Sequence, residues 1–157
     1  MKVSPKILVV EDEDPKIEHL MRFLKVVHED FEIETARSVM SALEKIPQVR
    51  PSLLLLDMSL PTFDVGDLES GGRPQGYGGL EVLRQMVMLD LDCPTIVITG
   101  YEAFPGDTGE PVDLAKLSKS LKEEFPEILK EVLHYNSTND EWKTKLKFYL
   151  LELFDHG

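Results

Sequence analysis

The sequence predicts an α/β fold in which a five-stranded parallel sheet is covered by helices on both faces. Short apolar runs alternate along the chain with segments whose apolar residues recur at helical spacing. One of these runs, Leu53–Leu56, consists of four leucines, and a continuous apolar run is typical of a strand that is buried on both faces. With 157 residues, 42% of them hydrophobic, the chain is predicted to form one domain over residues 1–157.

Five strands are predicted from short runs that are rich in leucine and β-branched side chains. These strands cover Lys6–Val10, residues 31–36, Leu53–Leu56, Thr95–Thr99 and residues 127–135. A helix follows each strand, and four of the helices have a side chain that can cap their first turn. The predicted caps are Asp14 with Pro15 as the first helical residue, Ser38, Asp113, and either Asn139 or Asp140. Two glycine-containing segments, residues 59–79 and 100–112, are predicted to be exposed loops.

The charge and the hydropathy of the chain exclude several classes of function. The 29 acidic and 17 basic residues give a net charge of -12, a field that repels a nucleic-acid backbone, so no nucleic-acid partner is expected. No apolar run approaches the roughly 18–20 residues that a membrane span needs, so no membrane partner is expected either. The single cysteine, Cys93, excludes an intrachain disulfide and fits a cytoplasmic protein.

Acidic and hydroxyl side chains stand at the ends of three predicted strands. Glu11 and Asp12 follow the first strand, Asp57 follows the third, and Thr99 ends the fourth. Ligands of such sheets bind beyond the carboxyl ends of the strands, where the strand order reverses. If the first and third strands are neighbours, three carboxylates meet there beside a hydroxyl, and Mg²⁺ is the cation that suits them. With the metal bound, Asp57 would act as a nucleophile toward a phosphoryl group.

Each of these side chains also has a simpler structural interpretation. Asp57 could be a turn residue at the end of a strand, although a carboxylate behind four leucines is costly to bury. Glu11 and Asp12 could be solvated loop residues or helix-capping carboxylates. Thr99 could be an ordinary strand threonine. The combination of these residues at three strand ends favours the chemical interpretation.

Four segments of the chain resemble, in this order, the marker segments of the receiver domains of bacterial response regulators. The segments are KILVVEDE, LLLLDMSLP, GLEVLRQM and CPTIVITG. The resemblance covers residues 6–100 well and the remainder of the chain in outline. It implies a flavodoxin-like, CheY-like doubly wound (βα)5 fold and a protein of two-component signalling.

The resemblance also implies a role for each residue of the predicted site. Asp57 would be phosphorylated by a histidine kinase or a histidine phosphotransfer protein. Mg²⁺ would be held directly by Asp12, by Asp57 and by the backbone carbonyl of Ser59, and Glu11 would help through a water molecule. Thr99 would donate a hydrogen bond from its hydroxyl to the phosphoryl group. The protein would then signal by binding a downstream protein that the sequence does not identify.

The sequence departs from the receiver pattern in two places. The glycine-rich segment at about 59–79 is longer than the usual loop after the acceptor. It is expected to be either a tolerated surface insertion or a lid or partner-docking element over the phosphorylation site. Receivers normally carry Lys-Pro at the end of the fifth strand, where this chain has Tyr135 or Asn136. Four lysines of the second half of the chain have no Lys-Pro context: Lys116, Lys119, Lys122 and Lys130.

Three functions remain open from the sequence. The first is a phosphorylatable receiver, whose enzymatic activity would be at most Mg²⁺-dependent self-phosphorylation and dephosphorylation. The second is a phosphorylation-independent pseudo-receiver that acts as a protein-binding module, and the absent lysine motivates it. The third is a phosphatase of the haloacid-dehalogenase type, which needs a second aspartate where this chain has Ser59.

Overall fold

The computed structural model of the protein describes residues 5–64, 78–100, 103–105 and 111–154. The strands are β1 (Lys6–Val10), β2 (Glu32–Ala36), β3 (Leu53–Leu56), β4 (Thr95–Thr99), β5 (Ala103–Pro105), β6 (Pro111–Asp113) and β7 (Leu129–His134). The helices are α1 (Asp14–Val27), α2 (Val39–Val49), α3 (Gly78–Met88), α4 (Leu114–Glu124) and α5 (Glu141–Phe154). Among these described helices, none is long and apolar enough to cross a membrane.

Five of the strands form one parallel sheet in the order β2-β1-β3-β4-β7. The strand order reverses at β1, because β2 and β3 pair with its opposite edges. The predicted α/β fold with a five-stranded parallel sheet is therefore confirmed. Strand β7 is the predicted fifth strand, and it is shorter at both ends than the predicted range of residues 127–135.

A second, two-stranded sheet lies mostly within residues 100–112, which the sequence predicted to be a loop, and its second strand ends at Asp113. Strands β5 and β6 pair antiparallel in this segment, so the prediction of a loop throughout it was wrong. Each strand has only three residues, one of them a proline, which lacks the backbone N–H that a sheet ladder uses. Such short strands carry no recognisable apolar alternation.

Helices α2 and α4 begin at the predicted capping residues. The side chain of Ser38 accepts a hydrogen bond from Ser41 N over 3.0 Å, and the Ser41 hydroxyl accepts one from Ser38 N in return. Oδ1 of Asp113 accepts a hydrogen bond from Lys116 N over 2.8 Å. Both side chains thus satisfy backbone donors that the first turn of a helix leaves free.

The starts of α1 and α5 differ in detail from the sequence prediction. The predicted cap of α1, Asp14, was wrong, since Asp14 is the first helical residue and Glu13 occupies the cap position without a side-chain hydrogen bond. Pro15 is consequently the second helical residue. At the start of α5, Oδ1 of Asn139 accepts a hydrogen bond from Glu141 N over 3.2 Å.

Helix α3 begins inside the predicted loop of residues 59–79 and packs on the backbone that follows Asp57. Gly79 N donates a hydrogen bond to the carbonyl oxygen of Met58 over 2.9 Å. A Cβ atom on Gly79 would collide with the backbone of Asp57 and Met58, so only glycine permits this approach. Residues 65–77 of the predicted loop lie outside the described residues.

The parallel sheet separates two hydrophobic cores, because alternate residues of each buried strand point to opposite faces. The first, which we name the α2–α4 core, is formed with helices α2, α3 and α4. Its strand side chains include Leu8, Val10, Leu54, Leu56 and Val97. The second, the α1–α5 core, is formed with helices α1 and α5. Its strand side chains include Ile7, Val9, Leu53, Leu55, Ile96 and Ile98.

Candidate functional site

Three carboxylates lie together at the carboxyl edge of the parallel sheet. Strands β1 and β3 are neighbours with Val10 opposite Leu56, so the residues that follow the two strands are adjacent. Asp57 N continues this pairing by donating to the carbonyl oxygen of Val10 over 3.0 Å. One carboxylate oxygen each from Glu11, Asp12 and Asp57 lies within 4.8 Å of the other two. The structure thus brings together the three acidic residues predicted for the site.

Burial shapes the electrostatics of this carboxylate cluster. The side chain of Glu11 is almost fully buried, and Asp57 is only 6% exposed. Burial raises the pKa of the Glu11 carboxyl to about 9, and the Lys16 ammonium opposes this rise while the charge of Asp57 adds to it. Burial and, after it, the charge of Asp57 raise the pKa of Asp12 above its ordinary value. Positive charge is therefore needed to keep the three carboxylates ionised together.

A buried lysine on helix α1 supplies one such charge. Nζ of Lys16 lies 3.0 Å from Oε1 of Glu11 and 3.4 Å from Oδ1 of Asp57. It also donates a hydrogen bond to the carbonyl oxygen of Ile98 over 2.8 Å. Burial by itself would lower the pKa of the Lys16 ammonium, but the charges of Asp57 and Glu11 outweigh burial and raise this pKa. Lys16 is therefore positively charged at neutral pH, among the ends of three neighbouring strands.

Lys16 was not among the residues predicted for the site, because a lysine was expected only near the end of the last sheet strand. A signal for it was present in the sequence. Lys16, Leu20 and Leu24 are spaced four residues apart, and all three are buried on α1. A lysine on the buried face of a helix is costly unless it is paired. The four lysines of the second half of the chain that were considered as replacements are exposed on α4 or β7: Lys116, Lys119, Lys122 and Lys130.

Tyr135 stands beside the site just after strand β7, where the receiver pattern led us to expect a lysine. Its backbone N donates to the carbonyl oxygen of Thr99 over 2.8 Å, which fixes it next to β4. The centroid of its ring lies 5.3 Å from Nζ of Lys16, a cation–π arrangement. Its phenol oxygen lies 2.9 Å from Nδ1 of His19, and both rings pack against Trp142 with centroids 5.3 Å away. This strand end therefore presents an aromatic ring to the site.

The two remaining predicted site residues, Thr99 and Ser59, lie at the end of β4 and just after β3. Thr99 is the last residue of β4 and is fully buried. Because Leu56 pairs with Val97, Thr99 extends β4 beyond the end of β3. Ser59, two residues after Asp57, is also buried. A hydrogen bond from Thr99 to a phosphoryl group and metal coordination by Ser59 stay predictions.

The carboxylate cluster has the composition of a site for a divalent cation. Carboxylate oxygens are the ligands that Mg²⁺ takes in proteins. Oδ1 of Asp57 is buried, and no hydrogen bond from the described part of the chain reaches it. When ionised, the three carboxylates carry three negative charges, which one divalent cation and the Lys16 ammonium would balance. The residues present therefore fit a bound Mg²⁺ ion.

Comparisons with known proteins agree with this fold and identify the family. The family described as the response regulator receiver domain matches residues 7–108. The chain is 27% identical over 147 residues to the Detocs response regulatory protein DtcB of Vibrio alginolyticus, a match that covers 92% of this chain and 98% of DtcB. It is 25% identical over 150 residues to the uncharacterized protein y4jR of Sinorhizobium fredii, which covers 94% and 98% of the two chains. A solved receiver domain protein (CheY-like) of Methanospirillum hungatei is similar with a TM-score of 0.63 and 21% identity, over 99% of this chain and 100% of that chain. The protein belongs to the family of response regulator receiver domains.

Proposed function

We propose that this protein is a phosphorelay receiver that accepts a phosphoryl group on Asp57 from a histidine kinase or a histidine phosphotransfer protein. The observation that carries the proposal is the state of the Asp57 carboxylate. Its Oδ1 atom is buried, receives no hydrogen bond from the described residues and lies 3.4 Å from the Lys16 ammonium. Because no hydrogen bond from the described residues occupies this oxygen, its lone pairs are uncommitted, as a metal ligand or a nucleophile requires. Membership of the receiver family supports the proposal.

Transfer to Asp57 requires one bond to form and one to break. A carboxylate oxygen of Asp57 attacks the phosphorus of a phosphohistidine, and the phosphorus–nitrogen bond breaks as the oxygen–phosphorus bond forms. The departing imidazole nitrogen takes up a proton, and Asp57 becomes an acyl phosphate. Later attack by water on the phosphorus restores the carboxylate and releases inorganic phosphate. This self-dephosphorylation is the only hydrolysis that we propose.

In this proposal, Glu11, Asp12, Asp57 and the backbone carbonyl of Ser59 would hold Mg²⁺. The bound ion would neutralise negative charge on the oxygens of the transferred phosphoryl group. The raised pKa values of Glu11 and Asp12 support a cation here, since positive charge keeps both carboxylates ionised. The hydroxyl of Thr99 donates a hydrogen bond to a phosphoryl oxygen once Asp57 is phosphorylated.

The receiver acts through protein partners in this proposal. The net charge of -12 opposes direct contact with a nucleic-acid backbone. Residues 1–157 form a single receiver domain that works in the cytoplasm, and phosphorylation changes which downstream protein the domain binds.

Incubation with acetyl phosphate and Mg²⁺, followed by measurement of the intact mass, tests the proposed acceptor. We expect one phosphate adduct on the wild-type protein and none on Asp57→Asn, because a carboxamide is not a nucleophile in this reaction. Asp64→Asn is the matched control, since it changes an exposed carboxylate outside the cluster, and it is expected to keep the adduct. Chelation of Mg²⁺ with EDTA is expected to abolish the adduct. An adduct that persists in Asp57→Asn contradicts the proposal.

A phosphorylation-independent pseudo-receiver is the second candidate, and the position of Tyr135 favours it. This residue places a ring, not an ammonium, at the end of β7. A pseudo-receiver would bind the phosphate mimic beryllofluoride without any shift in the amide signals of α4 or β7. Shifts of those signals in the wild-type protein, absent in Asp57→Asn, would decide for the phosphorylatable receiver.

A further inference from the structure

We infer that Lys16, on helix α1, is the residue that binds the phosphoryl group on Asp57, while the end of β7 supplies an aromatic wall in place of a charge. This inference rests on the proposed function, because it requires a phosphoryl group on Asp57. The positive charge of the site would then come from the first helix of the chain and not from the last strand of the sheet.

The contacts of Lys16 give its ammonium group a fixed direction. An ammonium has three N–H donors. Nζ lies 2.8 Å from the carbonyl oxygen of Ile98 and 3.0 Å from Oε1 of Glu11, and these two contacts hold it in place. The third neighbour, Oδ1 of Asp57, is more distant at 3.4 Å. One donor is therefore directed toward Asp57 and is available to an oxygen of a phosphoryl group attached there.

The burial of Lys16 indicates that its charge serves the site. Lysine side chains usually extend until the ammonium reaches water. Here the side chain is only 4% exposed and lies on the same face of α1 as Leu20 and Leu24. An apolar residue would fill this position without the cost of burying a charge. The groups that benefit from the charge are the neighbouring carboxylates of Glu11 and Asp57.

Phosphorylation would increase the benefit of this cation. The Asp57 carboxylate carries one negative charge, whereas a protein-bound phosphoryl group carries about 1.5 to 2 at pH 7. Hydrogen bonds between an ammonium and a phosphate oxygen are among the stronger ones in proteins because both groups are charged. The ammonium of Lys16 is already beside Asp57, so the new charge is met without rearrangement of α1.

Through its ring, Tyr135 is a further neighbour of the Lys16 ammonium. Its ring centroid lies 5.3 Å from Nζ of Lys16, and its phenol oxygen is engaged by Nδ1 of His19 at 2.9 Å. The ring therefore lies within cation–π distance of Lys16, and its own position is fixed by His19. This arrangement explains how the end of β7 can lack a lysine while the site retains a cation.

The test compares the rates at which Lys16 variants are phosphorylated by acetyl phosphate at saturating Mg²⁺, followed by intact mass over time. Lys16→Met removes the charge and suits a buried position, and Lys16→Gln removes the charge but keeps a polar N–H donor. Lys119→Met, exposed on α4, is the matched control. Circular dichroism checks the fold of each variant, and calorimetric titration gives its affinity for Mg²⁺.

We expect Lys16→Met and Lys16→Gln to be phosphorylated about ten-fold to a hundred-fold more slowly, because a charge-assisted hydrogen bond to the phosphoryl group is lost. Their affinity for Mg²⁺ is expected not to fall, because a positive charge next to the metal ligands has been removed. Lys119→Met is expected to match the wild-type rate. In the double variant Lys16→Met/Tyr135→Lys, an ammonium at the strand end is expected to restore part of the rate.

Two results would overturn the inference, and they are distinguishable. Wild-type rates in the folded Lys16→Met or Lys16→Gln protein would remove Lys16 from the site and leave the proposed function standing. Absence of a phosphate adduct on the wild-type protein would overturn the proposed function and the inference with it. If Lys16→Met does not fold, Lys16→Gln alone decides.

Discussion

The two cores that the sheet separates approach the carboxylate cluster in different ways. From the α2–α4 core, helix α3 places Gly79 directly against the backbone of Asp57 and Met58. From the α1–α5 core, helix α1 places the ammonium of Lys16 beside the carboxylate of the same Asp57. One side of the site is thus shaped by close packing of backbone, and the other by paired charge.

The difference between the cores extends away from the site. The α2–α4 core is a cluster of buried hydrophobic side chains. The α1–α5 core also contains a connected set of polar and aromatic groups. Lys16 contacts Tyr135, and Tyr135 contacts His19. The rings of Tyr135 and His19 both pack on Trp142. Nε1 of Trp142 donates to the carbonyl oxygen of Asn136 over 3.0 Å and ties the segment after β7 to α5. Continuous contacts therefore connect Asp57, through Lys16 and Tyr135, with the aromatic side chains of the α1–α5 core.

The largest effect is expected from a cavity in the α2–α4 core. Leu83 is fully buried on α3, and Leu83→Ala is expected to lower the free energy of unfolding by about 2–5 kcal/mol in urea titrations. Val87→Ala, at a side chain of the same helix that is 57% exposed, is the control and is expected to change this energy by less than about 0.5 kcal/mol. The fluorescence of folded Leu83→Ala is expected to match the wild type, because Trp142 lies in the other core. A shifted emission spectrum would show that the two cores are coupled and do not behave as separate units.

A smaller effect is expected where the α2–α4 core meets the site. In Gly79→Ala the new methyl group would collide with backbone atoms, so helix α3 must shift. We expect the free energy of unfolding to fall by about 1–3 kcal/mol and phosphorylation of Asp57 by acetyl phosphate to slow. Gly100→Ala is the matched control for stability, since its Cβ would lie 3.9 Å from the carbonyl oxygen of Tyr135, an ordinary contact. Equal stability losses in the two variants would show that close packing by α3 is not the cause.

The smallest effect is expected from one hydrogen bond in the α1–α5 core. Tyr135→Phe keeps the ring against Lys16 but removes the bond between the phenol and His19, which is expected to cost about 0.5–1.5 kcal/mol of unfolding free energy. A double-mutant cycle with His19→Phe isolates the interaction between the two side chains. Zero coupling energy in this cycle would mean that the polar and aromatic set is not energetically connected at this link.

Most of the fold could be predicted from local patterns in the sequence. The runs Lys6–Val10, Leu53–Leu56 and Thr95–Thr99 form strands with the predicted ends, because β-branched and leucine-rich runs have few alternatives in a buried sheet. Ser38 and Asp113 cap helices as predicted, since capping depends only on neighbouring residues. The β5–β6 pair was missed because its pairing depends on contacts between short segments that carry no periodic signal of their own.

The candidate site was predictable only in part, for a related reason. Glu11, Asp12 and Asp57 each follow a strand, and parallel strands carry such residues to one edge whatever the details of packing. Lys16 lies within a helix, and its contact with Asp57 depends on how α1 is rotated and seated against the sheet. That orientation is set by the packing of the α1–α5 core, which involves residues distant in the sequence. The sequence around position 16 therefore does not predict it.

The seat of Lys16 suggests a practical way to recognise similar receivers in genomes. A search that demands a lysine after the last sheet strand would discard this chain, although a cation lies beside its acceptor residue. The pattern can be recognised in the sequence alone. It consists of the acidic pair Glu11-Asp12 and a lysine four residues after the aspartate, which shares the buried face of the first helix with apolar residues. Chains that lack the strand-end lysine but carry this pattern would form a subgroup in which the lysine lies on the first helix. They would be distinguished from receivers whose site has no lysine at all.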